Sequence, residues 1–305
     1  DEALAGSAGV VIKLLLWPLQ LVALAAILAK RLLVILKARQ LGLTWLALSY
    51  AVWRMLFFPG YTVAGVSRTE GEAKELVRRI TVILRALPPW MALERTPENK
   101  KRLAVFYGPV WSSTTETVTI DHPGGMTSAF RALTSSQSSG RSFTDNLVII
   151  DEWAYQQWAE DIWSGIYPTV NRPTGGQVIG LSTNKRGSFF EQICAKPADY
   201  GFDRTFLPWW TDPRRTKEWY EATKKAMPHS WRQEYPATVE EAMSAGEGTA
   251  FPEFTESIHV CRPFKIPPWW RRWRGNDPGY ADSFYFCWYA VSPDGQVYIY
   301  REYTR

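Results

Sequence analysis

Residues 32–44 read LLVILKARQLGLT, and this stretch decides the fold that we predict for the chain. The apolar run Leu32–Leu36 has the length of a buried strand, and the largely apolar segment Thr44–Phe57 after it is typical of a helix. A strand, a short glycine-bearing loop and a helix form the unit that holds phosphate in many α/β proteins. We therefore predict a phosphate-binding loop at Lys37–Thr44.

The loop departs from the usual P-loop pattern, G-x-x-x-x-G-K-[ST]. Gly42 and Thr44 match the second glycine and the hydroxyl residue, but Leu43 occupies the lysine position and Lys37 the first glycine position. Gly42 lets the backbone approach phosphate oxygens, and the Thr44 hydroxyl is a potential Mg²⁺ ligand. A cation is still needed, and both Lys37 and Arg39 lie close enough in sequence to supply it.

A second polar motif follows another apolar run. Leu147–Ile150 predicts a buried strand, and Asp151 and Glu152 come directly after it. Ligands of open α/β sheets bind at the carboxyl ends of the strands. We predict that Asp151 holds Mg²⁺, directly or through water, and that Glu152 orients and deprotonates the attacking water.

Composition and charge are those of a globular protein. Hydrophobic residues make up 46% and charged residues 21%, and the net charge of +5 permits a polyanionic partner without requiring one. The three cysteines have no metal-ligand spacing and no disulfide pattern. For the apolar segment Leu14–Ala29 we predict a helix buried against the sheet and no membrane span, because the run is short and contains Pro18 and Gln20.

The rest of the chain extends the α/β alternation and then changes. Further strands are predicted at Tyr61–Ser67, Leu103–Tyr107, Thr115–Ile120 and Gln177–Leu181, and a helix at Glu70–Leu87. Pro236–Glu253 is rich in Gly and small residues and predicts a connector. The aromatic runs Phe284–Val291 and Gln296–Tyr303 predict a hairpin, with no third strand and no helix after it.

Five segments in order resemble the large terminase subunit of tailed bacteriophages. The displaced lysine of Lys37–Thr44 resembles that family's variant P-loop, and Leu147–Tyr155 resembles its Walker B segment. Trp17–Gln20 is similar to its adenine-contacting glutamine motif. Ser182-Thr183-Asn184 resembles its coupling motif, and Tyr235–Ala242 the segment that ends its ATPase domain.

The resemblance implies a fold and an activity. The fold would be a RecA-like P-loop NTPase with a mostly parallel sheet flanked by helices, followed by the start of an RNase H-like nuclease. The activity would be ATP hydrolysis that moves double-stranded DNA into a procapsid, with Mg²⁺ as cofactor. We expect an ATPase domain at residues 1–235, a connector at 236–273 and the incomplete nuclease domain at 274–305.

The resemblance also implies residue roles and partners. Gln20 would read the adenine edge, and Arg39 or Arg141 would act as an arginine finger, Arg141 in a neighbouring subunit's site. ATP would be bound by Trp17, Gln20, Lys37, Arg39, Gln40, Leu41, Gly42, Leu43 and Thr44. Partners would be further copies in a ring, a portal protein and a small terminase subunit, at the procapsid portal in the host cytoplasm, with no membrane.

A second activity is predicted in outline only. Gly275–Tyr280 resembles the opening of the terminase nuclease, in which Asp277 would bind Mg²⁺ or Mn²⁺ and Asp282 is a further candidate. Because the other acids of such a site lie on later strands, we expect that this chain does not cut DNA. The cationic and aromatic stretch Pro267–Arg274 predicts either interdomain packing or nucleic-acid contact.

Two alternatives stay open. One is another nucleic-acid-stimulated P-loop ATPase of helicase type. The other is a non-hydrolysing nucleotide- or DNA-binding protein whose P-loop has decayed, for which Leu43 is the main support.

Overall fold

The computed structural model describes residues 14–136, 144–173, 175–244, 256–277 and 284–304. The chain forms two compact units, Asp1–Gly248 and Thr249–Arg305. The predicted residues Arg141 and Asp282 lie outside the described ranges.

The first unit alternates strands and helices, as the sequence predicts. In chain order the elements are α1 (Pro18–Ala29), β1 (Leu32–Lys37), α2 (Leu43–Phe57), β2 (Thr62–Ser67), α3 (Glu70–Ala86), β3 (Leu93–Glu94), α4 (Lys100–Leu103), β4 (Val110–Ser113), β5 (Thr117–Asp121), β6 (Thr127–Thr134), β7 (Leu147–Asp151), α5 (Ala159–Val170), β8 (Gln177–Ser182), α6 (Phe189–Ala195), β9 (Asp203–Leu207), α7 (Lys217–Ala226), α8 (Trp231–Glu234) and α9 (Val239–Ser244). Short 3-10 turns lie at Trp153–Tyr155, Pro197–Tyr200 and Trp209–Thr211.

One nine-stranded sheet organises this unit, in the order β3-β4-β5-β6-β2-β7-β8-β1-β9. The strands from β6 through β2, β7, β8 and β1 to β9 run parallel, and antiparallel pairing is confined to β4-β5 and β5-β6. The chain places β7 and β8 between β1 and β2, so two later strands enter beside the strand that precedes the loop. The predicted mostly parallel α/β fold is confirmed.

Helices cover both faces of the sheet and bury the central strands completely. All six residues of β1 are buried, as are the first four of β7. Trp153 is fully buried, and it packs against β8 at Gly180, where a Cβ atom would lie 2.4 Å from the Trp153 ring. Any larger residue at position 180 would displace Trp153, which follows directly on Glu152. The packing of Trp153 against Gly180 therefore fixes the main chain directly after the predicted carboxylates Asp151 and Glu152.

Two local predictions in this unit are wrong. Leu103–Tyr107 is not a strand: α4 ends at Leu103 and a turn follows, with Val105 74% and Tyr107 93% exposed. The predicted buried helix begins only at Pro18, and only Gln20, Ala23 and Ile27 on it are buried, while Leu21, Val22 and Leu28 are exposed. Among the described residues, none of the helices has both the length and the apolar character to cross a membrane.

The second unit contains a short helix, α10 (Glu256–His259), and three strands, β10 (Arg271–Asp277), β11 (Tyr285–Val291) and β12 (Val297–Thr304). The predicted hairpin is present as the antiparallel pair β11-β12. A strand that the sequence did not predict, β10, lies before this hairpin in the chain and pairs antiparallel with the other edge of β11. Four of the seven residues of β10 carry charge, and charged side chains are common on edge strands, where they discourage pairing with other chains.

Candidate nucleotide-binding site

The carboxyl ends of three neighbouring strands meet at one edge of the sheet. The order β7-β8-β1 and its register place Leu36 opposite Ser182, and Leu181 opposite Asp151. Lys37, Asp151 and Ser182 therefore reach the same level of the sheet, although they are far apart in sequence. This edge is where ligands of open α/β sheets bind.

The loop Lys37–Thr44 joins β1 to α2 in a conformation suited to an anion. Gln40 and Gly42 have positive φ angles of 60° and 68°, and Gly42 caps the N-terminus of α2. A Cβ at Gly42 would meet only Gln20 Nε2 at 3.4 Å, an ordinary contact, so the glycine is needed for its backbone conformation. The first amides of a helix lack intrahelical acceptors, and they attract phosphate at this position.

Distant segments hold the start of the loop in place. The main-chain N–H of Ala38 donates to Leu207 O at 2.8 Å, and that of Arg39 donates to Glu234 O at 2.8 Å. The Arg215 guanidinium donates to Arg39 O at 2.9 Å. Because both main-chain polar groups of Arg39 are bonded, the loop entrance is fixed before a ligand arrives.

Three candidate cation positions have different environments. Lys37 is 5% exposed, and its Nζ lies 3.0 Å from Glu152 Oε1. Leu43, at the usual lysine position, is 1% exposed and packs in the core. The Arg39 side chain is 60% exposed and pairs with Glu234 at 3.1 Å, which raises the pKa of Arg39. Lys37 is thus the cation whose charge is buried among the site carboxylates.

The predicted metal residues are in direct contact. Thr44 Oγ1 donates to Asp151 Oδ1 at 3.1 Å and to Oδ2 at 3.3 Å. Adjacent ligands of an octahedral Mg²⁺ stand about 3 Å apart, so this pair fits such an ion directly or through its water. Among the described residues no group of three or more His, Cys, Asp or Glu has a metal-site arrangement. A Mg²⁺ here would take phosphate and water as its other ligands.

Burial dominates the electrostatics of Asp151. It raises the pKa of Asp151 from 3.8 to about 6, with a further increase from the neighbouring Glu152 charge, while Lys37 and the Thr44 hydroxyl oppose the shift. A carboxylate held in this way is destabilised when ionised and gains from a cation. This is the expected state of a metal ligand whose metal arrives with the substrate.

We expect Asp151→Asn to stabilise the nucleotide-free protein at neutral pH. Because the folded pKa lies above the unfolded one, ionisation removes stability as pH rises from about 4 to 6, by up to about 3 kcal/mol. The variant lacks this loss, so its melting temperature should exceed that of the parent at pH 7.5 and converge with it near pH 4. A variant that is less stable at pH 7.5 would contradict this account of Asp151. Asp121→Asn serves as the control, because the Asp121 side chain, at the end of β5, is 46% exposed.

Gln20 links the first helix to the loop. Its Oε1 accepts from the Trp17 main-chain N–H at 2.8 Å, and its Nε2 donates to Leu41 O at 2.8 Å. The residue is 3% exposed. The Arg214 guanidinium lies 5.3 Å from the centre of the Trp17 ring. The described contacts therefore give Gln20 a role in holding the loop, and its contact with adenine stays a prediction.

The three residues Ser182, Thr183 and Asn184 are buried and face different partners. Ser182 Oγ donates to Glu152 Oε2 at 3.4 Å and accepts from the Ala154 N–H at 3.2 Å. Thr183 Oγ1 lies 3.0 Å from the Tyr155 hydroxyl. Asn184 Nδ2 instead donates to Ala242 O at 2.9 Å and to Glu191 at 3.0 Å. Ser182 thus contacts the catalytic candidate, whereas Asn184 contacts α9.

Two predicted residues lie outside the described part of the first unit. Asp277, predicted for a separate nuclease site, lies on β10 of the second unit and is exposed. Arg141 lies outside the described residues, and its role stays a prediction.

The site also contains two residues outside the predicted motifs, Gln233 and Glu234. Gln233 is hydrogen-bonded to Tyr155, the last residue of Leu147–Tyr155, and Glu234 binds Arg39. Gln233 and Glu234 directly precede Tyr235–Ala242, which resembles the segment that ends the terminase ATPase domain. The predicted segment therefore begins just after the two residues that make these contacts.

The fold is that of an α/β protein with a mostly parallel sheet flanked by helices, and solved structures specify it further. The large terminase ATPase domain of Thermus phage P74-26 matches with a TM-score of 0.55 and 22% identity, over 78% of this chain and 97% of that one. The large terminase of a thermophilic bacteriophage, in complex with ADP, matches with a TM-score of 0.56 and 15% identity, over 95% and 68%. That of bacteriophage HK97 matches at 0.52 and 12%, over 97% and 64%.

The chain therefore has the fold of phage large terminase ATPase domains, and the resemblance predicted from its motifs is confirmed at that level. No protein-family model and no curated protein matches the sequence. At these identities the similarity establishes the fold, and the activity has to be argued from the site.

Proposed function

We propose that this chain is the ATPase of a viral DNA-packaging motor, which hydrolyses ATP to move double-stranded DNA into a procapsid. The observation that carries the proposal is a pair of contacts at the carboxyl edge of a terminase-like sheet, Lys37 with Glu152 at 3.0 Å and Thr44 with Asp151 at 3.1 Å. A decayed loop would not be expected to keep a buried lysine paired to a carboxylate at this edge.

The residues divide the chemistry of phosphoryl transfer among them. The loop amides and the Lys37 ammonium offset the phosphate charge, and Thr44 and Asp151 hold Mg²⁺, which neutralises further charge on the phosphates. Glu152, whose carboxylate is 42% exposed, can reach a water and take its proton. Ser182 donates to the same carboxylate and keeps one of its oxygens directed toward β8.

Further parts of the proposal come from the terminase resemblance. They are a ring of copies, a portal protein and a small terminase subunit as partners, Arg141 as a finger into a neighbouring site, and work at the portal in the host cytoplasm. The similarity to solved terminases supports these as a group. We also propose that residues 274–305 begin an RNase H-like domain whose first metal ligand is Asp277, with residues 236–273 as connector after an ATPase domain at 1–235.

A DNA-stimulated ATPase assay tests the proposal. We expect Mg²⁺-dependent ATP hydrolysis that increases with double-stranded DNA, because the motor's work is done on duplex. The stimulation should weaken between roughly 50 and 200 mM salt, as phosphate contacts do. Stimulation by single-stranded DNA alone would favour the helicase-type alternative. ATP binding without any hydrolysis would favour the non-hydrolysing alternative and overturn the proposal.

A further inference from the structure

A buried hydrogen-bonded group lies beside the proposed catalytic residues and has no role in the chemistry described so far. The Tyr155 hydroxyl accepts from Gln233 Nε2 at 2.6 Å and lies 3.0 Å from Thr183 Oγ1. Thr183 is 3% exposed and Gln233 is 6% exposed. Water therefore has little access to replace either partner if one of these bonds is lost.

The donors and acceptors of this group are complementary. Burial raises the pKa of Tyr155, so its phenol stays protonated at neutral pH. Gln233 donates to the phenol oxygen, which leaves the phenol proton for Thr183 Oγ1 at 3.0 Å or for Asn184 O at 3.5 Å. Bonds to Gln233 and to the Thr183–Asn184 segment thus fix the orientation of the phenol ring.

Tyr155 anchors the turn that carries Glu152. Glu152 has φ 45° and ψ 48°, a left-handed conformation that costs a non-glycine residue roughly 1–2 kcal/mol. Such a conformation persists only where the surroundings determine it. The Tyr155 N–H donates to Glu152 O at 3.0 Å, and the Ala154 N–H donates to Ser182 Oγ at 3.2 Å. Bonds of the following turn therefore hold the main chain of Glu152 in place.

Gln233, which donates to the Tyr155 hydroxyl, lies on α8, and the same helix also contacts the loop Lys37–Thr44. Gln233 is followed by Glu234, whose main-chain oxygen accepts from the Arg39 N–H and whose carboxylate pairs with the Arg39 guanidinium. Two consecutive residues of one short helix thus contact the loop and the turn after β7. This arrangement fixes the distance between the phosphate-binding loop and the catalytic carboxylate.

We propose that Tyr155 is a positioning residue for Glu152, and that Gln233 of α8 and Thr183, directly after β8, hold it. The proposal rests on the proposed ATPase function and adds to it a role for Tyr155, the last residue of Leu147–Tyr155, and for Gln233, which lies outside the motifs. The bonds of the Tyr155 hydroxyl hold the turn Trp153–Tyr155 in one conformation. That conformation keeps the Glu152 carboxylate where it can contact the attacking water.

The test compares Tyr155→Phe, Gln233→Met and Thr183→Val with the parent in steady-state ATP hydrolysis. A displaced base loses rate because misplacement of about 1 Å costs on the order of 100-fold. We expect each variant to lower kcat by roughly 10- to 100-fold and to change KM for ATP by less than about twofold. Tyr155→Phe combined with Thr183→Val should be no slower than the slower single variant, because both break the same bond.

Two controls separate positioning from stability. Thr183→Ser keeps the hydroxyl and should retain most of the parent kcat. Tyr50→Phe breaks a matched Tyr–Gln bond, 2.8 Å from Tyr50 Oη to Gln177 Oε1, at the opposite end of β8. It should lower the melting temperature about as much as Tyr155→Phe does and leave kcat unchanged.

The outcomes are distinct. An unchanged kcat in Tyr155→Phe, or an equal loss of kcat in Tyr50→Phe, overturns the positioning role and leaves the proposed ATPase intact. A loss of ATP affinity at constant kcat also overturns it, because the group would then act on the loop. If the parent itself does not hydrolyse ATP, the proposed function fails and this inference fails with it.

Discussion

Replacement of Glu152 by glutamine is expected to lower kcat for ATP by at least about 100-fold while ATP stays bound, because a positioned general base contributes roughly 10²–10⁴ in rate. Glutamine keeps the shape of the side chain and its bond from Ser182, but it cannot accept a proton from water. The loop amides, Thr44 and Asp151 are untouched, so the phosphate and metal contacts remain.

The same substitution should alter ATP affinity in a direction that the structure specifies. In the described state Lys37 is bound to Glu152 Oε1 at 3.0 Å. Glutamine weakens that bond and removes the opposing charge beside a buried ammonium, which destabilises the nucleotide-free protein. A bound phosphate, which pairs with the Lys37 ammonium, then stabilises the variant by more than it stabilises the parent. We therefore expect Glu152→Gln to bind a non-hydrolysed ATP analogue at least as tightly as the parent, and to gain more melting temperature from it.

Isothermal titration with the analogue and single-turnover hydrolysis measure these two quantities separately. Glu221→Gln is the matched control, since Glu221 is exposed on α7 and pairs only with Lys224 at 3.1 Å among its described contacts. A Glu152→Gln variant that retains a large part of the parent kcat would show that another group activates the water. Weaker analogue binding would contradict the inferred competition between Glu152 and phosphate for Lys37.

The central strands and the loop could be predicted because their sequence signals are local. The runs Leu32–Leu36 and Leu147–Ile150 are uninterrupted apolar segments, and such segments are buried on both faces of a parallel sheet. The polar residues just after them then had to meet at one edge. The contact between Thr44 and Asp151, 107 residues apart, follows from that topology alone.

Elsewhere, local pattern and tertiary context disagree. Leu103–Tyr107 alternates as a strand would, but it joins none of the described strands, and Val105 and Tyr107 stay exposed. The charged run Arg271–Arg274 showed no alternation and was not predicted as a strand, yet it forms most of β10 because β11 offers a free edge. Whether a strand lies beside a segment cannot be predicted from the sequence of that segment alone.

The contacts that hold the site residues in place could not be predicted for a related reason. Gln233 reaches Tyr155 across 78 residues of sequence, and Glu234 reaches Arg39 across 195. Nothing near Gln233 indicates which loop it will contact, since a glutamine on a short helix is most often a surface residue. Motifs identify the residues that contact substrate, and only the fold identifies those that hold them.

Lys37→Ala is expected to abolish measurable turnover, with a loss of at least about 100-fold, because removal of one group that stabilises transition-state charge costs 10²–10³. No other described side chain of the loop offers an equivalent cation. Leu43 is 1% exposed in the core, and the Arg39 side chain is 60% exposed and paired with Glu234. Lys37 is also the group that lowers the pKa of Asp151, so its loss makes the ionised metal ligand less stable. ATP and Mg²⁺ affinity should both fall.

Because Lys37 is buried, a truncated side chain also leaves a cavity, and Lys37→Met separates the two effects by keeping the volume without the charge. Both variants should lose turnover equally, whereas Lys37→Met should melt at a higher temperature than Lys37→Ala. Arg39→Ala is the decisive comparison, since Arg39 is the competing cation of the same loop. It should cost less than Lys37→Met in ATP affinity, because its charge is already engaged by Glu234. If Arg39→Ala proves the more damaging change, the phosphate charge is met by Arg39, and Lys37 serves to keep Glu152 in place.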